Sequence, residues 1–276
     1  MKRIRRSKRA RRYWGKGELC PTLRCELRRK SRMSQPSCVV VGAGPGLGLA
    51  IARRFAKGGF DVALIGRNQS NLNTMSETLM SEGYCARGFA SDAGKEDELQ
   101  SAFTKIADWN GNVGVLVYNA AVLATDSAPE MTVSSMMEKM VVNLGGAICS
   151  VNQVLPAMRC RSHGTILITG GGLALEPYPD WTALSAGKAA LRSYALSLHK
   201  ALALENIHVA VIAVCGIVEP GGLIDPDHIA EEYWHLHKEI KPDWRRELVY
   251  LPEGADPYYN DLTAAYRSTS LPVRLC

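Results

Sequence analysis

The sequence predicts an α/β protein built on a doubly wound parallel sheet. Short apolar runs alternate with longer helical patterns along residues 37–214, which is typical of a parallel sheet covered by helices on both faces. The run Val39–Val41 is apolar throughout, as in a buried parallel strand. Four glycines follow at alternate positions from 42 to 48, and a helical pattern begins at Leu47. A strand, a glycine-rich turn and a helix in this order form a cradle for phosphate groups.

The later elements continue the same alternation. We predict strands at 60–66, 84–89, 113–118, 165–169 and 208–214, and helices at 71–82, 96–109, 134–158 and 182–204. A chain of 276 residues without an internal repeat is long enough for one large α/β domain, which we expect over residues 34–251. Residues 252–276 are rich in proline, tyrosine and small residues, and this composition leaves their order open.

The N-terminal segment 1–33 differs from the rest of the chain in charge. It contains 14 of the 33 Lys and Arg residues but two of the 27 acidic residues, so it has a charge of +12 and the remainder −6. We expect it to be disordered, and three interpretations stay open. It is a tail attracted to RNA or a membrane surface, an Arg-rich organellar presequence, or sequence upstream of a true start at Met33. We do not expect residues 34–276 to bind nucleic acid, because they are mildly acidic, and the basic tail is the one segment with a charge suited to it.

The cysteines and histidines argue against a metal centre. The eight cysteines include no C-x-x-C pair, and the six histidines include no H-E-x-x-H arrangement, so we predict no metal site. Cys38, Cys149 and Cys215 lie in apolar stretches and are expected to be buried thiols of a reducing compartment.

The segment 1–33 has no apolar run suited to a signal peptide or a membrane span. We therefore expect a cytoplasmic protein without membrane contact, with organellar targeting by the tail as the alternative.

The glycine spacing favours a nucleotide. The dinucleotide fingerprint G-x-G-x-x-G fails because its third glycine would fall on Leu47, whereas G-x-x-x-G-x-G fits Gly42, Gly46 and Gly48. The alternative is a tight strand-to-helix turn that requires glycine and binds nothing. Such sites usually place an acid at the end of the second strand for the ribose of NAD.

The end of the second predicted strand favours NADP over NAD. The acid Asp61 lies at the start of this strand, and the strand ends in Gly66-Arg67. A guanidinium at that edge suits a 2′-phosphate, because arginine can bind phosphate with two parallel hydrogen bonds. The alternative is that Arg67 is a solvent-exposed loop residue.

With these residues and three further motifs, the chain resembles the short-chain dehydrogenase/reductase family from about Ser37 to Gly222. Asp92 follows the third strand, Tyr118-Asn119-Ala120-Ala121 is similar to an N-N-A-G segment, and Asn143 lies within Val142-Asn143-Leu144-Gly145. The resemblance implies a Rossmann-type three-layer sandwich. It implies cofactor-binding roles for Gly42, Gly46, Leu47, Gly48, Arg67, Asp92, Asn119 and Lys188, and catalytic roles for Asn143 and Lys188.

The sequence departs from this family at two catalytic positions. The family's serine is followed after about thirteen residues by Tyr-x-x-x-Lys, and the segment around Lys188 fixes the register. The tyrosine position is then Leu184 and the serine position is Gly171. The resemblance implies that the tyrosine supplies a proton and the serine binds the carbonyl oxygen, and neither leucine nor glycine can do this.

The loop before Lys188 offers substitutes for the missing acid. Tyr178 or Asp180 could donate the proton, or Tyr178 packs between prolines and Asp180 caps the next helix. Residues 225–234 resemble the family's mobile substrate lid, but they equally suit a surface helix that buries Ile229, Tyr233, Leu236 and Ile240.

The sequence therefore predicts an NADP-dependent oxidoreductase that acts on a small-molecule carbonyl or alcohol with a non-standard proton donor. The alternative is a catalytically weak or inactive NADP-binding sensor, regulator or partner subunit. Two long helices, 134–158 and 182–204, resemble those through which relatives assemble, so the resemblance implies a homo-oligomer.

Overall fold

Seven parallel strands form one sheet in the computed structural model, which describes residues 35–253. The strands are β1 Ser37–Val41, β2 Asp61–Gly66, β3 Ala86–Ala90, β4 Val113–Tyr118, β5 Gly164–Thr169, β6 Ile207–Val214 and β7 Glu247–Tyr250. Their order across the sheet is β3-β2-β1-β4-β5-β6-β7. The strand order changes direction between β1 and β4, because β2 and β3 follow β1 on one side and β4 to β7 lie on the other. At such a point a crevice forms at the carboxyl ends of the strands.

The predicted N-terminal segment 1–33 lies outside the described residues, as do residues 254–276 of the predicted tail. The expectations for these segments stay predictions.

Helices cover both faces of the sheet. They are α1 Leu47–Lys57, α2 Gln69–Ser81, α3 Glu96–Asn110, α4 Val133–Met140, α5 Gly146–Arg161, α6 Thr182–Leu202 and α7 Pro226–Lys238. Side chains alternate across each strand, so Val39 and Val41 pack with α3, α5 and α6 while Cys38 and Val40 pack with α1, α2 and α7. The predicted three-layer α/β sandwich is confirmed.

The long helix predicted at 134–158 is interrupted. Helix α4 passes into a π-helical turn, Val141–Gly145, before α5 begins at Gly146. Single π-helical turns within helices often occur at functional sites, and Asn143 lies in this one. The apolar periodicity of the sequence does not distinguish a π-turn from a continuous helix, because both keep the chain helical.

Strand β7 is absent from the sequence prediction. It has four residues, and none of them is fully buried. Strand prediction depends on an apolar run, and this edge strand contributes little apolar surface to the core.

Helix α7 packs against α1, which agrees with the surface-helix alternative for residues 225–234. Ile229, Tyr233 and Leu236 are fully buried as the surface-helix alternative predicted, whereas Ile240 lies beyond the helix and is 74% exposed. The Trp234 ring lies edge-on to Phe55 of α1 with centroids 5.5 Å apart. The apolar spacing of α7 therefore matches the face of α1 on which the helix packs.

One helical stretch in the described part of the chain, Val133–Arg161, is long and apolar enough by length and composition to cross a bilayer. Of its most apolar window, 44% is buried inside the fold. The core helices of soluble proteins share these properties.

Candidate active site

The glycine turn between β1 and α1 is held against the end of β4. A Cβ atom on Gly42 would lie 2.3 Å from the backbone nitrogen of Ala120, and the residue has a φ of +84°. A Cβ on Gly48 would lie 2.9 Å from the Cα of Ala43. Both positions therefore require glycine for close backbone packing.

Gly46 has a different environment. A Cβ at this position would meet no atom within 4 Å, so the fold itself does not require glycine there. Gly46 is also the N-cap of α1, and no side chain caps this helix. The first N–H groups of α1 therefore have no side-chain cap, which is the arrangement that binds phosphate.

A cavity of about 480 Å³ opens beside this turn at the strand-order reversal. Its wall is formed by Val41, Gly42, Ala43, Ile65, Gly66, Arg67, Ser91, Asp92, Ala93, Asn119, Ala120, Ala121, Val122, Leu123 and Val142. It brings together four predicted cofactor residues, namely Gly42, Arg67, Asp92 and Asn119. Gly46, Leu47 and Gly48 lie at the adjoining start of α1 and not on this wall.

Arg67 and Asp92, the predicted polar cofactor residues after β2 and β3, differ in exposure. Arg67 directly follows β2 and is exposed, so its guanidinium can reach a ligand at the rim. Asp92 is half-buried, and its Oδ1 accepts a hydrogen bond from the Gly94 N–H at 2.9 Å, which fixes the carboxylate. Asp61 lies at the opposite end of β2, where Asn110 Nδ2 donates to it at 3.0 Å.

Asn119, Thr169 and Lys188 form a hydrogen-bonded group beneath the cavity. Asn119 Nδ2 donates to the Gly42 carbonyl at 2.9 Å, and Thr169 Oγ1 donates to Asn119 Oδ1 at 2.9 Å. Lys188 Nζ donates to the Thr169 carbonyl at 2.7 Å. Burial lowers the pKa of the Lys188 ammonium to about 8. The pKa of this lysine thus lies much closer to neutral pH than that of an exposed lysine.

Asn143 is fully buried in the π-helical turn next to α6. Its Oδ1 accepts a hydrogen bond from the Val122 N–H at 2.8 Å, whereas its Nδ2 has no partner among the described residues. A Cβ on Gly187 would lie 2.6 Å from the Cβ of Asn143, so this glycine lets α6 approach the turn. An unpaired buried amide is costly, and it supplies a free donor for a water or ligand.

Leu184 and Gly171, which lie where the resemblance places a tyrosine and a serine, have no hydroxyl. Leu184 lies one helical turn before Lys188 and is 3% exposed. Gly171 is extended, with a φ of −176°, and its nearest neighbours would lie 3.8 Å or more from an added Cβ. A serine would therefore fit at position 171 without displacing backbone.

The loop before α6 corrects one prediction. Asp180 does not cap the helix, because Asp126 from the loop after β4 accepts from the Ala183 N–H at 3.3 Å. Lys139 of α4 forms an ion pair with Asp126 at 2.7 Å, and both side chains are largely buried. Tyr178 is half-buried, and its backbone N–H donates to Ser185 Oγ at 3.3 Å. Asp126 lies 57 residues before Ala183 in the sequence, so no local sequence pattern identifies it as the residue that caps α6.

Two polar residues beneath the site, Thr169 and Tyr233, are not among the predicted site residues. Thr169 is the last residue of β5, a position where polar side chains often face a ligand, and this placement was available from the sequence. Tyr233 matched the apolar periodicity of α7, which predicted its burial but not the contact of its hydroxyl with Thr169 at 2.6 Å. Among residues 35–253, no three His, Cys, Asp or Glu side chains are grouped to bind a metal ion.

Lys188 predicts a pH dependence of folding stability. Its pKa falls from 10.5 to about 8 on folding, so the unfolded chain binds more protons between these pH values and its contribution to stability rises with pH there. Relative to Lys188→Met, the wild type should gain about 2 kcal/mol from pH 7 to pH 9.5. Urea unfolding of both proteins at the two pH values measures this difference. Lys57→Met, at an exposed position of α1, is the control, and equal slopes for wild type and Lys188→Met would contradict the assignment.

Comparison with known proteins gives a consistent result. The model of the short chain dehydrogenase family matches residues 37–223, more than half of the chain. The dehydrogenase/reductase SDR family member 4 of Sus scrofa is 29% identical over 67% of this chain and 67% of its own length. An uncharacterized oxidoreductase of Staphylococcus saprophyticus is 27% identical over 82% of this chain and 94% of its own.

Solved structures agree. A short-chain dehydrogenase from Rhodopseudomonas palustris has a TM-score of 0.72 at 25% identity, covering 79% of this chain and 98% of that chain. A metagenomic short-chain oxidoreductase in complex with NADP gives the same values. The fold, the glycine turn and the family match lead to one conclusion: this chain belongs to the short-chain dehydrogenase/reductase family.

Proposed function

We propose that the chain is an NADP-dependent oxidoreductase that acts on a small-molecule carbonyl or alcohol with a non-standard proton donor. The main support is the cavity at the carboxyl ends of the strands, whose wall combines Gly42 with Arg67, Asp92 and Asn119. One of the similar solved oxidoreductases is in complex with NADP, which agrees with this choice of cofactor. Bound NADPH would supply the hydride.

The proposed cofactor contacts follow the positions of the side chains. The open space at Gly46 and the uncapped start of α1, formed by Leu47 and Gly48, suit a pyrophosphate. Exposed Arg67 suits the 2′-phosphate of NADP, and Asp92 suits the adenine. These roles fit a cavity that is already lined by backbone and polar groups.

The remaining contacts concern the nicotinamide end. Lys188 is proposed to bind the nicotinamide ribose, and Asn119 to border the cofactor. Asn143, with its free buried Nδ2, is proposed to hold a water or substrate group. Lys188 and Asn143 are the two members of the family's catalytic set that the chain retains.

The chain keeps the binding residues but lacks two groups for proton transfer. A positioned acid contributes about 10²–10⁴ in rate and one oxyanion donor roughly 10²–10³. Such effects do not multiply fully when groups act together. A loss on the order of 10³ corresponds to about 4 kcal/mol of activation free energy. We expect slow turnover, with Tyr178 as the substitute donor.

The buried Leu184 and the bare Gly171 also favour a second candidate function. A chain that binds NADP but turns over little or no substrate would act as a sensor, regulator or partner subunit. The retained cavity and the lost hydroxyls fit this function as well as they fit a slow enzyme. The two candidates differ in measured turnover and share the same cofactor site.

We propose a homo-oligomer and a cytoplasmic location. Four exposed apolar side chains, which we call the stripe, follow the helical stretch from α4 to α5: Val133 and Met137 of α4, Val141 of the π-helical turn and Ile148 of α5. Cys38, Cys149 and Cys215 are buried free thiols whose pKa values are raised by burial, which suits the expected reducing compartment, whereas Cys85 is disulfide-bonded and does not.

The oligomer proposal predicts a mass above that of one chain. Light scattering after size exclusion should give at least twice 30.1 kDa. The double change Met137→Lys, Val141→Lys should shift this mass toward the monomer, because charge on the stripe opposes its burial. A monomeric wild type would contradict the proposal.

Arg67 predicts a preference for NADPH. Arg67→Ala should weaken NADPH binding about 10-fold and leave NADH binding unchanged, since a charge-assisted hydrogen bond contributes about 1.5 kcal/mol at this partly solvated rim. Titration calorimetry measures both affinities. Arg53→Ala removes an arginine of α1 that pairs with Glu82 at 3.0 Å and serves as the control. Equal losses for both nucleotides would contradict the assigned role.

Turnover separates the two functions. The wild type should reduce members of a carbonyl panel slowly with NADPH, and Tyr178→Phe should abolish this activity. The double change Gly171→Ser, Leu184→Tyr restores the two hydroxyls and should raise kcat about 10²-fold or more. Tyr194→Phe, in the middle of α6, is the control for the loss of a tyrosine hydroxyl. NADPH binding without wild-type turnover, together with activity in the double variant, would identify the binding-only function.

A further inference from the structure

A buried tyrosine of α7 reaches the carboxyl end of β5. Tyr233 is fully buried, and its hydroxyl lies 2.6 Å from Thr169 Oγ1 at the end of β5. Burial raises the pKa of Tyr233 well above its ordinary value, so its hydroxyl keeps its proton. Burial of a hydroxyl costs free energy because the group loses its contact with water, unless a hydrogen-bond partner replaces that contact.

The direction of each hydrogen bond follows from the chemistry of the acceptors. The Gly42 carbonyl can only accept, so the Asn119 group facing it is Nδ2 and the group facing Thr169 is Oδ1. An amide oxygen can only accept, so Thr169 uses its one proton on Asn119. Tyr233 must then donate to Thr169. The bonds run in one direction, from Tyr233 through Thr169 to Asn119, whose amide donates to Gly42.

Thr169 connects Asn119 and the Gly42 turn with Tyr233 and Lys188. Its side chain joins Tyr233 to Asn119 and hence to the Gly42 turn, and its carbonyl accepts the hydrogen bond from Lys188 at 2.7 Å. The Gly42 turn has little freedom otherwise, because its backbone lies against Ala120. A change in the orientation of the Asn119 amide would therefore act directly on the carbonyl of the glycine turn.

We propose that Tyr233 and Thr169 are positioning residues that fix the Asn119 amide and, through it, the glycine turn for NADP. This inference rests on the proposed function for its ligand. Helix α7 thereby contacts the site twice, by packing against α1 and through the Tyr233 hydroxyl. The residues act through Asn119 and not by touching the cofactor.

The test removes the hydroxyls one at a time. Tyr233→Phe and Thr169→Val should each raise the Kd of NADPH about 2- to 10-fold, the range that one hydrogen bond contributes. Thr169→Ser keeps the hydroxyl and should bind within about twofold of the wild type. The double variant should bind no more weakly than Thr169→Val, because the series of bonds is already broken. Tyr194→Phe, a half-buried tyrosine outside the series, should leave Kd unchanged.

Amide hydrogen exchange without nucleotide provides a second readout. Peptides covering residues 40–48 and 117–122 should exchange faster in Tyr233→Phe and Thr169→Val than in Tyr194→Phe. A lower melting temperature with wild-type Kd in both variants would mean that the hydroxyls only stabilise the fold, and would overturn the inference. A wild type that binds neither NADPH nor NADH would refute the proposed function. In that case unchanged exchange in both peptides overturns the positioning role, and faster exchange supports it.

Discussion

The close approach of the glycine turn to the end of β4 is the constraint on which the candidate site depends. Gly42 lies so near Ala120 that any side chain would collide with backbone, and its carbonyl is held by the Asn119 amide. The uncapped start of α1 lies next to the cavity on the same side of this turn, so the proposed phosphate site depends on backbone packing and not on charged side chains.

The proposed binding and proton-transfer roles fall on different parts of this structure. The residues proposed to bind the cofactor follow the ends of β1, β2 and β4. The residues at the positions proposed for proton transfer, Gly171 and Leu184, have no hydroxyl. Lys188 is proposed to serve both roles, because burial lowers its pKa while its bond to Thr169 fixes its position. Under this proposal, the absence of the tyrosine removes chemistry and not cofactor binding.

The sequence predicted the features that depend on local pattern. Alternating apolar runs predicted six of the strands, and the glycine spacing predicted the turn, because each is determined by neighbouring residues. The sequence did not predict contacts between distant segments. Asp126 caps α6 from the loop after β4, and Tyr233 bonds to Thr169 across the sheet. The sequence of α7 suits both a lid and a packed surface helix, because amphipathic spacing does not identify the surface that a helix covers.

The most direct test of this account is a crystal structure of the full chain grown with NADPH. The account predicts the pyrophosphate at the start of α1 beside Gly46, the 2′-phosphate at Arg67 and the ribose of the nicotinamide at Lys188. A nucleotide bound elsewhere, or a cavity that stays free of nucleotide at saturating NADPH, would contradict it.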